Sequence, residues 1–530
     1  LVGGEVHKAT ATADNTNWAC IIGSNIKTSG AVTVQSLARS YADAVIAQNA
    51  VNAGLITIGI TLLKAEASGD FQAYIDTSGG AVYAASILVD NDYTAKAYAE
   101  TTQAAGGVTA ELVSVEGNVA ESSVTTNAEA AIKGNGSIST TGTIQVDANG
   151  IADALSGVMT PTVSLSGITI AANILTSRLA AVQKAYIEDV RITNAGDVTV
   201  ISTLNNASEP GARAILGSAA QGLEGIDISF ISGTANTATA TAKAVNYAYV
   251  AGASITQAED LAVTAAGSSR AVADISQGAI SAGYVSIGVS VLYAYANGDY
   301  QAYVDTSGAS LNVDRLFVTN TYEASAEART AQPSEGAISG LEIETNIALA
   351  SVGINAEAAI KGNGTITTPG AVIVQATGLA TAEARVATPT IEISGIKIAV
   401  NDIAATLNAV QKAYINGATI EAGSIQVIST LNNIDNTGAV AELGSSADGI
   451  DAEVTLIGVQ VHSATATANN TNWAYIIGSN IKTNGAVTVQ SLAKSYANAR
   501  VNQDAIDVGL ITIGITELKA FAQGDFASYI

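Results

Sequence analysis

His7-Lys8-Ala9-Thr10-Ala11-Thr12-Ala13-Asp14-Asn15-Thr16-Asn17-Trp18-Ala19-Cys20-Ile21-Ile22 returns near the other end of the chain. There it reads His462-Ser463-Ala464-Thr465-Ala466-Thr467-Ala468-Asn469-Asn470-Thr471-Asn472-Trp473-Ala474-Tyr475-Ile476-Ile477. The match runs on: residues 7–75 and 462–530, 455 apart, are identical at 51 of 69 positions. Shorter echoes halve that offset. Gln72-Ala73-Tyr74-Ile75-Asp76-Thr77-Ser78-Gly79 reappears as Gln301-Ala302-Tyr303-Val304-Asp305-Thr306-Ser307-Gly308, 229 residues on. Asn127 to Gly136 recurs unchanged from Asn355 to Gly364, and Ala181 to Ile187 from Ala409 to Ile415, both at 228. A period of this kind means a stacked repeat, because one repeat cannot bury its own apolar face.

Inside the 228-residue unit lies a shorter beat. An Ala-Tyr-Ile-like marker ends at Ile21, Ile75, Ile132, Ile187, Val250, Val304, Ile360, Ile415, Ile476 and Ile530, with spacings of 54, 57, 55, 63, 54, 56, 55, 61 and 54. The module is about 57 residues, four to a unit. The two long spacings place surface excursions at Asn205 to Gly225 and Asn432 to Gly449, rich in Gly, Ala, Ser and Asn. The organisation is one continuous array, 1–530, with units at about 76–304 and 305–530 and with 1–75 as the end of a preceding unit. The sequence reads as a window on a longer array.

Within a module the order is constant: a Gly-x-Val-x-Val segment such as Gly30-Ala31-Val32-Thr33-Val34, an Ala-rich alternation such as Ala380, Ala382 and Ala384, then a long aliphatic alternation such as Ile56, Ile58 and Ile60. Period two, β-branched residues and Gly/Asn punctuation specify strands. Alternation of Ala with Thr, Ser or Glu does not fit a 3.6-residue helical face. The uncharged stretch Ile275 to Gly298 alternates as well, so it reads as a strand and not as a membrane-spanning helix.

Composition agrees. Of 530 residues only 13% are charged and 48% are apolar; 22 basic against 46 acidic groups give −24. That sign excludes nucleic-acid binding driven by phosphate neutralisation, and the single Cys20 excludes a disulfide scaffold. Small uncharged residues suit a narrow interior in which like residues lie over like at about 4.8 Å, where stacked like charges would repel. The expected fold is all-β: a right-handed parallel β-solenoid of wide turns, about 57 residues each, about nine turns, with three unequal walls. No 19-residue signature recurs, so one module makes one turn. The Ala-rich wall belongs where two sheets approach closely. Ile56, Ile58 and Ile60 align with Val285, Ile287 and Val289, and Leu63 aligns with Leu292 and Leu518. This predicts a buried row that shifts from even to odd numbering near Thr61, through a bulge or corner. Glu517, aligned with Leu62, belongs outside.

The marker, the Gly-x-Val-x-Val segment and the long small-residue strands resemble the repeat regions of large bacterial surface adhesins, the filamentous-haemagglutinin and leukotoxin-like filamentous adhesins. The resemblance covers essentially the whole chain and rests on repeat texture. It implies a β-helical shaft, secretion, and a role at the cell surface.

The chemistry of individual residues points away from catalysis. His7 and His462 occupy the same repeat position, as do Glu129 and Glu357, whereas an active site is a unique cluster. No cofactor is expected: Asp90-Asn91-Asp92 is too short for a calcium loop and reads as a solvated turn, although a chain of net charge −24 could bind Ca²⁺ at its turns. Gly134-Asn135-Gly136 reads as a turn. The column at the marker centre carries the most content: Tyr74, Tyr186, Tyr249, Tyr303, Tyr414, Tyr475 and Tyr529, interrupted by Ala131 and Ala359. It is either ring packing or an exposed aromatic contact ladder. The expected function is the structural shaft of an extracellular fibre, sheath or giant adhesin. The alternatives are an adhesive module for glycan or protein and, less favoured, a carbohydrate-active enzyme. The expected partners are further repeat units, along and across a fibre, and cell-surface glycan or protein. Neither a nucleic acid nor membrane insertion is expected.

Overall fold

A computed structural model describes the chain except residues 1, 49–50, 104–107, 161–162, 206–210, 219–224, 277–278, 332–336, 389–390, 446–450 and 503–504. The described residues contain strands, turns and bends and no helix. Ten long strands form one sheet in chain order: Val2–Ile22, Val51–Asp76, Val108–Lys133, Val163–Glu188, Gly225–Ala251, Ala279–Asp305, Ala337–Lys361, Ile391–Asn416, Asp451–Ile477 and Ala505–Tyr529. Every pairing is parallel. Val2 pairs with Ile56, Val51 with Val108, Val108 with Val163 and Val163 with Ile226, so the register steps through the marker spacings. One module is one turn of a right-handed parallel β-solenoid, and nine steps rise about 43 Å at about 4.8 Å each.

The three walls are very unequal. Opposite the long strands runs a second sheet of medium strands, such as Ile87–Gln103 and Ala371–Thr388, and between the two lies a short strand, such as Ala81–Ala84 or Ser137–Thr140. Two core clusters follow. Near the short strand the wedge is filled by β-branched residues, among them Ile75, Ile138, Val146 and Ile187. Farther along, where only two walls face each other, alanine dominates, as expected. One column of the medium sheet is alanine on every turn: Ala42, Ala97, Ala154, Ala212, Ala271, Ala326, Ala382, Ala439 and Ala497.

The described parts of the two excursions interrupt medium strands. One falls between Val198–Leu204 and Ala212–Ser218, the other between Ser424–Leu431 and Ala439–Ser445. Each is entered through an asparagine at positive φ, Asn205 at 53° and Asn432 at 47°. The side-chain oxygen of each accepts a backbone N–H from the preceding turn, Ala152 or Ala380, at 2.7 Å. The amide thus stands in for ladder backbone that has left the wall.

The expected row shift near Thr61 is corrected. Alternation runs unbroken from Ile56 through Ile75, and pairing is continuous there. The unpaired rung position is Leu55. What changes at Thr61 is chemistry. Downstream, aliphatics point inward, as with Leu63 and Leu292, while Leu62 and Glu517 point outward. Upstream, the inward positions are polar and Ile58 and Ile60 are exposed. Some of the buried polar residues pair up the ladder: Asn118 Nδ2 donates to Asn173 and Asn173 Nδ2 to Asn236, both at 2.8 Å. Burial of such groups is tolerated once they are paired.

Candidate interaction surface: the tyrosine column

In each marker the flanking residues point inward, as Ala73 and Ile75 do at 0% exposure, so the central residue must face out. The tyrosine column is therefore on the outer face of the long sheet. Ring spacing follows the strand spacing. Tyr186 and Tyr249 stack at 4.7 Å and 2°, Tyr249 and Tyr303 at 4.9 Å and 3°. Tyr414 and Tyr475 stack at 4.9 Å and 1°, Tyr475 and Tyr529 at 5.2 Å and 6°. The seven residues form two triplets plus Tyr74, which lies between Cys20 and Ala131 in register. Within a triplet the ring faces cover each other.

The alanine rungs are filled from the side. Lys133 Nζ lies 4.3 Å from the Tyr74 ring centroid and 2.6 Å from Glu129 Oε1, and the Tyr186 hydroxyl donates to Glu129 Oε1 at 2.7 Å. One unit later Lys361 Nζ lies 3.7 Å from the Tyr303 centroid and 3.4 Å from Glu357 Oε1. A cation thus caps the face of one stack and a carboxylate binds the rim of the next, a favourable match to the ring quadrupole. Partial burial, with the neighbouring carboxylates, raises the phenol pKa of Tyr186, Tyr249, Tyr303 and Tyr414; for Tyr303 burial and then Glu188 push it up to about 12. These four phenols are neutral at ordinary pH. Glu129 and Glu357 serve this capping arrangement.

His7 lies exposed near Glu5 on the first strand, while His462 is buried, its ring 3.1 Å from Asn401 Nδ2. Asp90-Asn91-Asp92 is not a turn. It lies within Ile87–Gln103, where buried Asn91 donates to the carbonyls of Phe71 and Glu129 at 2.7 and 3.0 Å. Gly134-Asn135-Gly136 is the expected turn, with Gly134 at φ 100°.

The sequence did not point to a groove of about 570 Å³ on the medium-strand side. Its floor includes Gly267, Tyr322 and Gly378, and the two excursions bound it at Asn205 and at Asn433 and Ile434. Paired long spacings in the sequence were the available signal for it. Comparison with known proteins finds no matching family, no similar curated protein and no similar solved structure.

Proposed function

We propose that the chain is a structural element rather than a catalyst: the shaft of a secreted, extracellular fibre, sheath or giant adhesin of the filamentous-haemagglutinin kind. The observation that carries this reading is the continuity of the long sheet. Each strand pairs with the next over nearly its whole length through all nine steps. Backbone hydrogen bonds at about 1 kcal/mol net each, repeated along every turn, give axial cohesion. Imaging native filaments tests it. An axial repeat near 19 Å, four turns of about 4.8 Å, supports a shaft built from 228-residue units. Discrete globular particles under all ionic conditions refute it.

A second reading, adhesion through the shaft wall, is favoured by the outward tyrosine triplets and by the groove between excursions. Cell-surface glycan or protein is the partner class, since stacked phenols offer apolar edges with hydroxyl rims. Glycan-array binding that is lost on Tyr249→Ala supports it. Binding that survives in that variant assigns adhesion elsewhere.

A further inference from the structure

The first ten or so residues of each long strand are inverted relative to the rest. Their inward side is polar and buried: Thr169, Asn236, Glu342, Glu392, Lys397 and His462 are each at most 9% exposed. Their outward side is aliphatic and open. In the columns through Ile56, Ile58 and Ile60, Val, Ile or Leu fills 24 of the 30 positions across ten strands, and Gly, Ala or Thr fills the rest. On interior turns, away from the end strands, Ile58, Ile170, Ile287 and Ile398 are 42, 51, 41 and 38% exposed. The neighbouring position adds Leu112, Phe230 and Tyr284 at 59, 62 and 64%, with the Phe230 and Tyr284 rings stacked at 5.4 Å.

We infer that this outward aliphatic face is a lateral docking surface for a second copy of the same chain, the two sheets packing face to face. Three features select that occupant. The first is area. Ten rungs at about 4.8 Å and some nine residues of strand at about 3.3 Å each make a face of roughly 1,300 Å². A standard interface needs about 800 Å² from each partner, and open apolar patches of monomers are about 300–600 Å². The second is charge. A chain of net charge −24 repels its own copies over most of its surface; the three columns carry no ionisable residue on any strand, so this is where two copies approach without that penalty. The third is commensurability. The side-chain rows repeat at the strand spacing over the whole face, and only another stack of parallel strands offers rows at the same spacing to fit between them, about 10 Å away sheet to sheet. Pairing of one patch with itself is isologous and closes at two.

The inference stands on this face alone and does not require the shaft reading. Analytical ultracentrifugation and electron microscopy of the 530-residue chain, from micromolar to submillimolar concentration, test it. The expected result is side-by-side pairs of rods, and single rods for the variant carrying Ile58→Lys, Ile170→Lys, Ile287→Lys and Ile398→Lys, with the far-ultraviolet circular dichroism unchanged. These positions lie on alternate turns and point outward, so the lysines do not stack. A parallel Ile→Ser set at the same four positions serves if the lysine variant does not fold. Single rods of wild type at every concentration overturn the inference, as do rods joined only end to end. Lateral pairs that persist in the folded lysine or serine variant overturn it too. Single wild-type rods that float with phosphatidylcholine vesicles would assign the face to lipid and reject the second copy. End-to-end growth without lateral pairs leaves the shaft reading intact, and lateral pairs without axial growth do the reverse.

Discussion

Replacing Ala326 with leucine probes how close the two walls stand. Ala326 is 0% exposed, and so are Ala271 and Ala382 directly below and above it in register. The whole column is alanine on nine turns, and the same core cluster holds Ala294, Ala296 and Ala350 from the long wall. Leucine adds three carbons. Where room exists these would contribute about 0.8 kcal/mol each; with a stacked alanine on either side and a second wall in front, the walls must separate instead. Overpacking of this kind costs typically 1–3 kcal/mol, and the rigid ladder places this site at the upper end, about 3 kcal/mol. Ser325, one residue away, points outward and is half-buried; Ser325→Leu is the control and should stay within about 0.5 kcal/mol. A solenoid opens in parts, so global melting is a poor readout. Native-state hydrogen exchange reports each turn separately. Amides of Ser310–Ala331 and its two neighbouring medium strands should lose protection about a hundredfold, since 1.4 kcal/mol is a factor of ten, while amides of Val51–Asp76 keep theirs. A loss below about threefold at Ala326→Leu would refute the claim that wall separation fixes the alanine column.

Gly364→Ala should separate two turns, because a Cβ there would sit 2.0 Å from the Thr306 carbonyl oxygen and 2.3 Å from that of Ala309. A cost of about 3 kcal/mol is expected, read by native-state hydrogen exchange of Ser310–Ala331 and Thr365–Thr367, and unchanged protection there would contradict the geometry. Tyr249→Ala removes ring contacts on both sides, each worth about 0.5–1.5 kcal/mol beyond area, and should reduce near-ultraviolet circular dichroism and exchange protection around Tyr186 and Tyr303. Glu392 is buried beside Lys397, Glu342 and Glu453, and burial lifts its carboxyl from 4.5 to about 8. The folded state keeps that proton while the unfolded state releases it, so this site's stabilisation is full below about pH 4.5 and is lost as the pH rises toward 8. Hydrogen-exchange protection of Ile391–Asn416 across that window should decline less for Glu392→Gln than for wild type.

The turn length was legible because it rests on identity. Once the marker recurs, the spacings must be the ladder offsets, and the register from Val2 to Ile56 onward follows them. The sequence left open whether the tyrosines pack as rings or stand exposed; the inward Ala73 and Ile75 on either side of Tyr74 place it on the outer face. Legibility failed where a residue's partner lies one turn away. Ile56, Ile58 and Ile60 look like core in one dimension, since the amide chain through Asn118, Asn173 and Asn236 that makes a polar interior tolerable exists only after stacking. Asp90-Asn91-Asp92 looked like a solvated turn for the same reason: Asn91 finds the Phe71 and Glu129 carbonyls across the core. The filling of the alanine rungs by Glu129 and Lys133 likewise depends on Tyr74 and Tyr186, more than fifty residues away on either side.

The four-turn unit, as distinct from the one-turn module, has a physical basis in a single inward column. Its occupants run Asn17, Phe71, Ala128, Gln183, Asn246, Tyr300, Ala356, Gln411, Asn472 and Phe526. Each is matched to its own surroundings. The aromatics fold over the glycine two residues earlier, so a Cβ at Gly69, Gly298 or Gly524 would meet the ring at 1.9, 2.2 or 2.4 Å. Gln183 donates to the Ala148 carbonyl at 2.8 Å and Ser202 at 3.1 Å, and Gln411 repeats this with Ala376 and Ser429 at 3.1 and 3.0 Å. Asn246 and Asn472 donate to the carbonyls of Ser202 and Ser429, both at 3.0 Å. A stack of identical rungs would have no preferred axial register, since a slip by one turn would cost nothing in side-chain fit. Here a one-turn slip sets a tyrosine into an alanine's or an asparagine's space and strands buried amides at about 1–3 kcal/mol each, whereas a four-turn slip brings back the same order of residue types, with phenylalanine exchanged for tyrosine. The cycle of asparagine, aromatic, alanine and glutamine therefore fixes which turn stacks on which, and it does so with the period that the sequence repeats.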